Sequence, residues 1–179
     1  MIDNTIKLVV GSWKAYTENN ERAMGSKLLD LSEFQSKEEI IQELKEEGFT
    51  SQELEELFIQ DYEGNIDISS YDNVNPLNLF EWLKEANYFD DENKADQIIV
   101  HSHENVTYVF LNDLEKDDIP DYQIYNCDKV EYTQQRFEES GYNIPDWVMN
   151  YIDFEQMADD DYDLNEISID GECYTYLCY

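Results

Sequence analysis

Acidic side chains exceed basic ones by 32 in these 179 residues, 43 Asp and Glu against 11 Lys and Arg, and that imbalance constrains the fold more than any other feature. Like charges held together oppose compaction. Low hydrophobicity combined with high net charge leaves too little apolar surface to offset chain entropy. Leu, Ile, Val and Phe together number 45, about a quarter of the chain and above the roughly one-fifth at which disorder becomes the default. Fourteen tyrosines and three tryptophans add burial capacity. A folded chain is therefore expected.

The charge has no single home. Residues 1–60 carry a net −7, residues 61–120 a net −12 and residues 121–179 a net −13. A solvating acidic tail would concentrate it in one block; here it covers the whole structured surface. Such a surface repels nucleic acid and acidic membranes, so direct DNA binding is not expected, and it attracts basic grooves. The three cysteines, Cys127, Cys173 and Cys178, are odd in number and form no Cys-x-x-Cys. They read as reduced thiols of a cytoplasmic protein. The opening MIDNTIKLVVGSW has too short an apolar run for a signal peptide, and no stretch approaches the roughly 20 apolar residues of a membrane span.

Periodicity divides the chain into small mixed elements. Residues 6–10 and 27–31 read as strands. Ser36 and Glu39 have capping-box spacing, Ile40, Ile41 and Leu44 follow at helical spacing, and Gly48 is placed to end a helix over 37–47. Residues 56–62 alternate as a strand. Asn75-Pro76 opens a helix over 76–88 with Leu77, Phe80, Leu83 and Ala86 as its stripe. The runs 97–103 and 105–111 have strand character, 113–122 reads as a loop, and 128–140 as a helix ending before Gly141. Residues 145–157 predict a short helix, and 166–179 a hairpin around Asp170-Gly171. The expected architecture is α+β, elongated, in three consecutive small domains: 1–70, 71–122 and 123–179.

Chemistry-bearing patterns are few. Asp159, Asp161, Asp163 and Asn165 alternate as in the first half of a calcium loop, but the sixth and twelfth positions are Leu164 and Asp170 where Gly and Glu are needed. His101 and His103 would share one side of a strand, with no third ligand at matching spacing. Cys127 lies among acids, which should raise its pKa and blunt its nucleophilicity. There is no Gly-x-Ser-x-Gly and no phosphate-cradling glycine loop. No catalytic residue, metal or cofactor is expected. Carboxylates do recur on shared helix faces: Glu39 with Glu43, Glu43 with Glu47, and Glu81 with Glu85. Like charges at that spacing cost a few tenths of a kcal/mol per pair. B-DNA presents one negative charge per roughly 1.7 Å of axis, so a partner that binds DNA would favour the arrangement. A salt-adapted or simply solvated surface has the same composition.

Three stretches go further. Glu55 to Gly64 (EELFIQDYEG), Ile144 to Asn165 (IPDWVMNYIDFEQMADDDYDLN) and Tyr132 to Gly141 (YTQQRFEESG) resemble, in order and spacing, characteristic stretches of the ArdA family of antirestriction proteins; the last resembles the family's antirestriction motif. Tyr16 and Gly25 fit the N-terminal pattern. The tryptophan usual after that glycine is replaced near Lys27, and residues 104–122 look like a variable insertion. The resemblance implies a curved, three-domain homodimer whose carboxylates imitate the phosphates of bent B-form DNA. It also implies a type I restriction–modification enzyme as target, in the bacterial host of a phage or mobile element. The carboxylates expected to form the array are Asp61, Glu63, Glu81, Glu85, Asp90, Asp91, Glu92, Asp113, Glu115, Asp117, Asp118, Glu131, Glu138, Glu139, Asp153, Glu155, Asp159, Asp160, Asp161 and Asp163. Tyr132, Phe137, Glu138, Glu139 and Gly141 are expected at the dimer interface, Phe137 through packing and the two glutamates through charge. Two other classes stay open: a mimic aimed at a CRISPR effector or nucleoid protein, and a calcium-binding or hydrolase module.

Overall fold

The computed structural model describes residues 1–68, 73–105, 119–142 and 144–178. Seven α-helices and two three-stranded antiparallel sheets make up the described residues, which is the mixed α+β class the sequence predicts. The chain divides into two compact units, Met1–Ile119 and Pro120–Tyr179.

In the first unit β1 (Lys7–Ser12) lies between β2 (Leu28–Asp30) and β3 (Leu57–Glu63), antiparallel to both. All three strands match the sequence expectation within one or two residues. Leu8 and Val10 are fully buried while Lys7 and Val9 are half-buried, the period-two signature of a strand with one covered face. Gly11 follows because a Cβ there would come within 2.6 Å of the Phe58 ring. Ser12 ends the strand and caps α1 (Trp13–Glu18), a six-residue helix too short to leave a periodic trace in the sequence.

Helix α2 (Lys37–Glu46) buries Ile40 and Leu44. Its expected capping box does not form: Ser36 makes no side-chain cap, and Glu39 reaches past the N-cap to accept from the Gln35 N–H at 2.7 Å. Gly48, at φ +95°, terminates it as predicted. Gly48 N–H donates to Lys45 O and Phe49 N–H to Leu44 O, each at 3.0 Å, which is the paired closure of a left-handed helix end with Leu44 and Phe49 both buried. Helix α3 (Pro76–Glu85) starts at its predicted Asn75 cap but stops three residues before Tyr88. Asn87 takes φ +59°, and Tyr88 N–H closes onto Leu83 O at 3.0 Å. Asparagine tolerates the left-handed region and here does what glycine does at Gly48.

Residues 97–103 correct the strand expectation. They belong to α4 (Glu92–Glu104), whose N-terminus is capped by Asp91 Oδ1 accepting from Asn93 and Lys94. Every residue from Gln97 to Ser102 is buried, so no polar face interrupts the run, and a short continuous apolar run fits a buried strand or a buried helix equally. His101 and His103 therefore point roughly 200° apart around the helix rather than to one side. His101 packs by Asn105, and His103 Nε2 lies 2.8 Å from Asn65 O. The expected strand over 105–111 and loop over 113–122 fall largely on 106–118, outside the described residues.

In the second unit β6 (Glu172–Cys178) is flanked by β4 (Tyr122–Tyr125) and β5 (Asn165–Ile169). The predicted hairpin is present: Ile169 pairs with Glu172 across Asp170 at φ +52° and Gly171 at φ +81°, a two-residue turn whose twist suits the strands. Helix α5 (Lys129–Glu139) is capped by Asp128, which accepts from Glu131 N–H at 2.8 Å, and it packs on α7 (Phe154–Asp160). The single helix expected over 145–157 is two, α6 (Asp146–Met149) and α7. Asp153 sits between them and caps α7 by accepting from Gln156 N–H at 3.0 Å, a bond that an aspartate inside a continuous helix could not make.

Candidate interaction surface

The surface is built by placing acids where each element turns away from its core. In the first unit β3 carries Asp61 and Glu63 on its exposed end, and α3 carries Glu81 and Glu85. Asp90, Asp91 and Glu92 lead into α4. In the second unit α5 carries Glu131, Glu138 and Glu139; Asp153, Glu155, Asp159 and Asp160 lie along α7, with Asp161 and Asp163 in the turn before β5. Of these, Glu81 and Asp161 are half-buried and all the others are exposed. Each of the two lies beside a cation. Glu81 is 2.7 Å from Lys37 Nζ, and Asp161 is 3.3 Å from Arg136 Nη1. Asp113, Glu115, Asp117 and Asp118 lie outside the described residues.

Several of these carboxylates also hold backbone. Asp91 and Asp153 are helix caps, and Asp61 accepts from Tyr62 N–H at 2.9 Å. Cations are spread unevenly. Lys7 pairs with Glu63, Lys14 with Glu18, Lys27 with Glu43 and Glu47, and Lys37 with Glu81, all in the first unit. The hydrogen bond that Lys27 Nζ donates to the Glu43 carboxylate holds the ammonium pKa above its ordinary value.

Among the described acids outside the expected array, Asp30, Glu43, Glu47, Asp67 and Asp96 are half-buried and Glu53 is buried. Glu53 is buried at 3 % exposure and accepts from Thr50 N–H at 2.7 Å and Asn20 Nδ2 at 2.8 Å. Those bonds, with Arg22 nearby, hold its carboxyl below the usual range. Asp96 is half-buried, which pushes its carboxyl up even though it accepts from Ile2 N–H at 2.9 Å.

Sequence reasoning begins its array at Asp61 and passes over Glu18, Glu21, Glu33, Glu38 and Glu46, which are equally exposed; the lower net charge of the first 60 residues hides them. The residues expected at a dimer interface divide. Glu138, Glu139 and Gly141 are exposed, while Tyr132 and Phe137 are half-buried and pack inside the unit. Tyr132 stacks obliquely on Tyr125, and Phe137 meets Tyr142 and Phe154 with centroids 5.8 and 5.5 Å away. Trp147 and Tyr151, which the sequence offers only as burial capacity, are 68 % and 82 % exposed.

Among the described residues no three His, Cys, Asp or Glu are grouped to hold a metal ion. Asp161 instead faces Arg136 and accepts from Asp163 N–H at 3.3 Å. Burial first, then Glu131 and Asp128, push the Cys127 thiol up; the expected direction holds, with burial the larger cause. Among the described residues no helix is long and apolar enough to cross a membrane.

Fold and surface together define the class: a mixed α+β protein whose helix ends, turns and outer faces present carboxylates to solvent. The pattern of the antirestriction protein (ArdA) family matches residues 9–174, and the chain belongs to that family. Membership makes it an antirestriction protein, an inhibitor of restriction–modification enzymes. None of the curated proteins matches the chain.

Proposed function

We propose that this protein acts by competitive occupation. Its carboxylates stand in for the phosphates of bent B-form DNA, and it fills the DNA-binding channel of type I restriction–modification enzymes. It performs no chemistry there and needs no cofactor. The reading rests on the exposure of the acids: apart from Glu81 and Asp161, each described member of the expected array is exposed. A net excess of 32 negative charges matches the phosphates of about 16 base pairs of B-DNA, and a homodimer would double that length. The dimer would form through the α5 region, with Glu138, Glu139 and Gly141 at the contact and Tyr132 and Phe137 holding the helix beneath it. The site of action is the cytoplasm of a bacterial host entered by a phage or mobile element.

The test is a cleavage assay with a purified type I enzyme across a salt series. Lysines and arginines that neutralise the mimic release counterions as they do on DNA, so inhibition should weaken linearly in log affinity against log salt. Absence of inhibition at low ionic strength, or inhibition insensitive to salt, would sink the reading.

A further inference from the structure

We infer that Trp147 and Tyr151 form a docking point for arginine side chains of the basic channel this protein occupies, an inference that rests on the function proposed above. The two rings stand on the one-turn helix α6 and the residue pair that follows it, with centroids 6.4 Å apart and planes at 76°. Single exposed hydrophobic residues are ordinary. Two large rings in edge contact, each more than two-thirds exposed, are a different matter, because each restricts the rotamers of the other while leaving both open to solvent. The unit has its own buried aromatic residues in Tyr122, Tyr174 and Tyr176, so these rings are surplus to its packing.

Charge selects the occupant. Residues 121–179 contain 15 acids and 2 bases, and exposed Asp146 and Asp153 flank the pair in the chain. A ring face is the negative end of the aromatic quadrupole and attracts cations. A guanidinium can lie flat on the ring while its edge donates to a carboxylate, a combination an ammonium cannot match. Ring contact would add a component of binding that salt screens less than it screens isolated carboxylates.

Two measurements on the full chain test this. First, oligo-arginine and oligo-lysine peptides are titrated against the wild type and against Trp147→Phe, and the difference in tryptophan emission isolates Trp147. The arginine peptide should change that emission more than the lysine peptide. Second, Trp147→Ala with Tyr151→Ala should weaken inhibition of a type I enzyme roughly threefold to thirtyfold, most visibly at high salt, while Tyr151→Phe retains it and the sedimentation mass stays that of the wild type. The inference is overturned by an emission indifferent to the arginine peptide, by full inhibition from the double alanine variant, or by an altered sedimentation mass, which would assign the rings to self-association. If the wild type itself inhibits nothing, the proposed function fails, and the peptide titration alone decides this inference.

Discussion

Arg136 Nη1 lies 3.3 Å from Asp161 Oδ2, so one of the two basic side chains in residues 121–179 is engaged by an acid of its own unit. The pair joins the last turn of α5 to the residue that ends α7. A cation suits the first position, and an anion is unfavourable at the second unless neutralised. Both side chains have solvent access, and exposed ion pairs contribute about 0–1 kcal/mol. Arg136→Gln should therefore shift urea-induced unfolding by less than about 1 kcal/mol and leave inhibition at low salt equal or stronger, since it adds one net negative charge. Weaker inhibition would show that Arg136 itself touches the target.

A distributed array predicts a contrast between one reversal and many neutralisations. Glu85→Lys alters one exposed charge among many, so inhibition should change little. Replacing Asp61, Glu63, Glu85, Asp90, Glu92, Glu131, Glu138, Glu139, Asp159 and Asp160 by their amides should weaken it strongly and flatten its salt dependence. None of these ten is a helix cap, so circular dichroism should remain that of the wild type. Loss of inhibition from Glu85→Lys alone would refute the distributed model.

Much of this was legible because the signals were local. Gly48, Asn75 and Asp170-Gly171 each mark a boundary through their own backbone preference, and each boundary is where it was expected. The failures have equally local causes. Residues 97–102 are buried on every side, so the helical period left no polar face to read. Asn87 ends α3 in a conformation more often given to glycine. Asp153 interrupts a helical pattern by capping α7. At the surface, the abundance of acids was plain from composition, but which ones hold backbone or face a cation depends on contacts between elements, as Lys37 with Glu81 and Arg136 with Asp161 make clear.

Tyr88 is fully buried behind the left-handed turn at Asn87, and its hydroxyl finds no hydrogen-bond partner among the described residues. Burial, with Asp3 and Asp96 adding to it, raises its pKa, so it stays neutral across the working range. A buried hydroxyl without a partner costs about 1–3 kcal/mol of desolvation, while the ring contributes apolar burial and an edge contact with Phe89 at 5.3 Å. Tyr88→Phe removes the cost and keeps the ring. Thermal unfolding of the variant should occur at the same or a higher temperature than that of the wild type. A clear drop would mean that the hydroxyl is bonded, through a water molecule or otherwise.

Glu53 makes the opposite case, a buried acid that stabilises. Its carboxyl lies below the usual range mainly because it accepts the Thr50 N–H, with Asn20 adding a second bond. The unfolded chain therefore binds a proton in a window where the folded chain does not, and stability from this group rises with pH through that window. It is fully present above the ordinary carboxylate range and is lost as pH falls through the depressed folded value. Asp96 has the reverse sign, since burial raises its carboxyl and acid relieves rather than weakens it, so the whole-protein profile mixes the two. Comparing Glu53→Gln with the wild type at each pH separates them. The amide loses the charge-assisted part of both bonds and turns a donor toward one of them, so the variant should be about 1.5–3 kcal/mol less stable near neutrality. Urea titrations should find that gap closing as pH falls below the ordinary carboxylate range. A gap that stays constant from neutral to acid pH would mean that Glu53 acts through shape alone and that its ionisation contributes nothing to the fold.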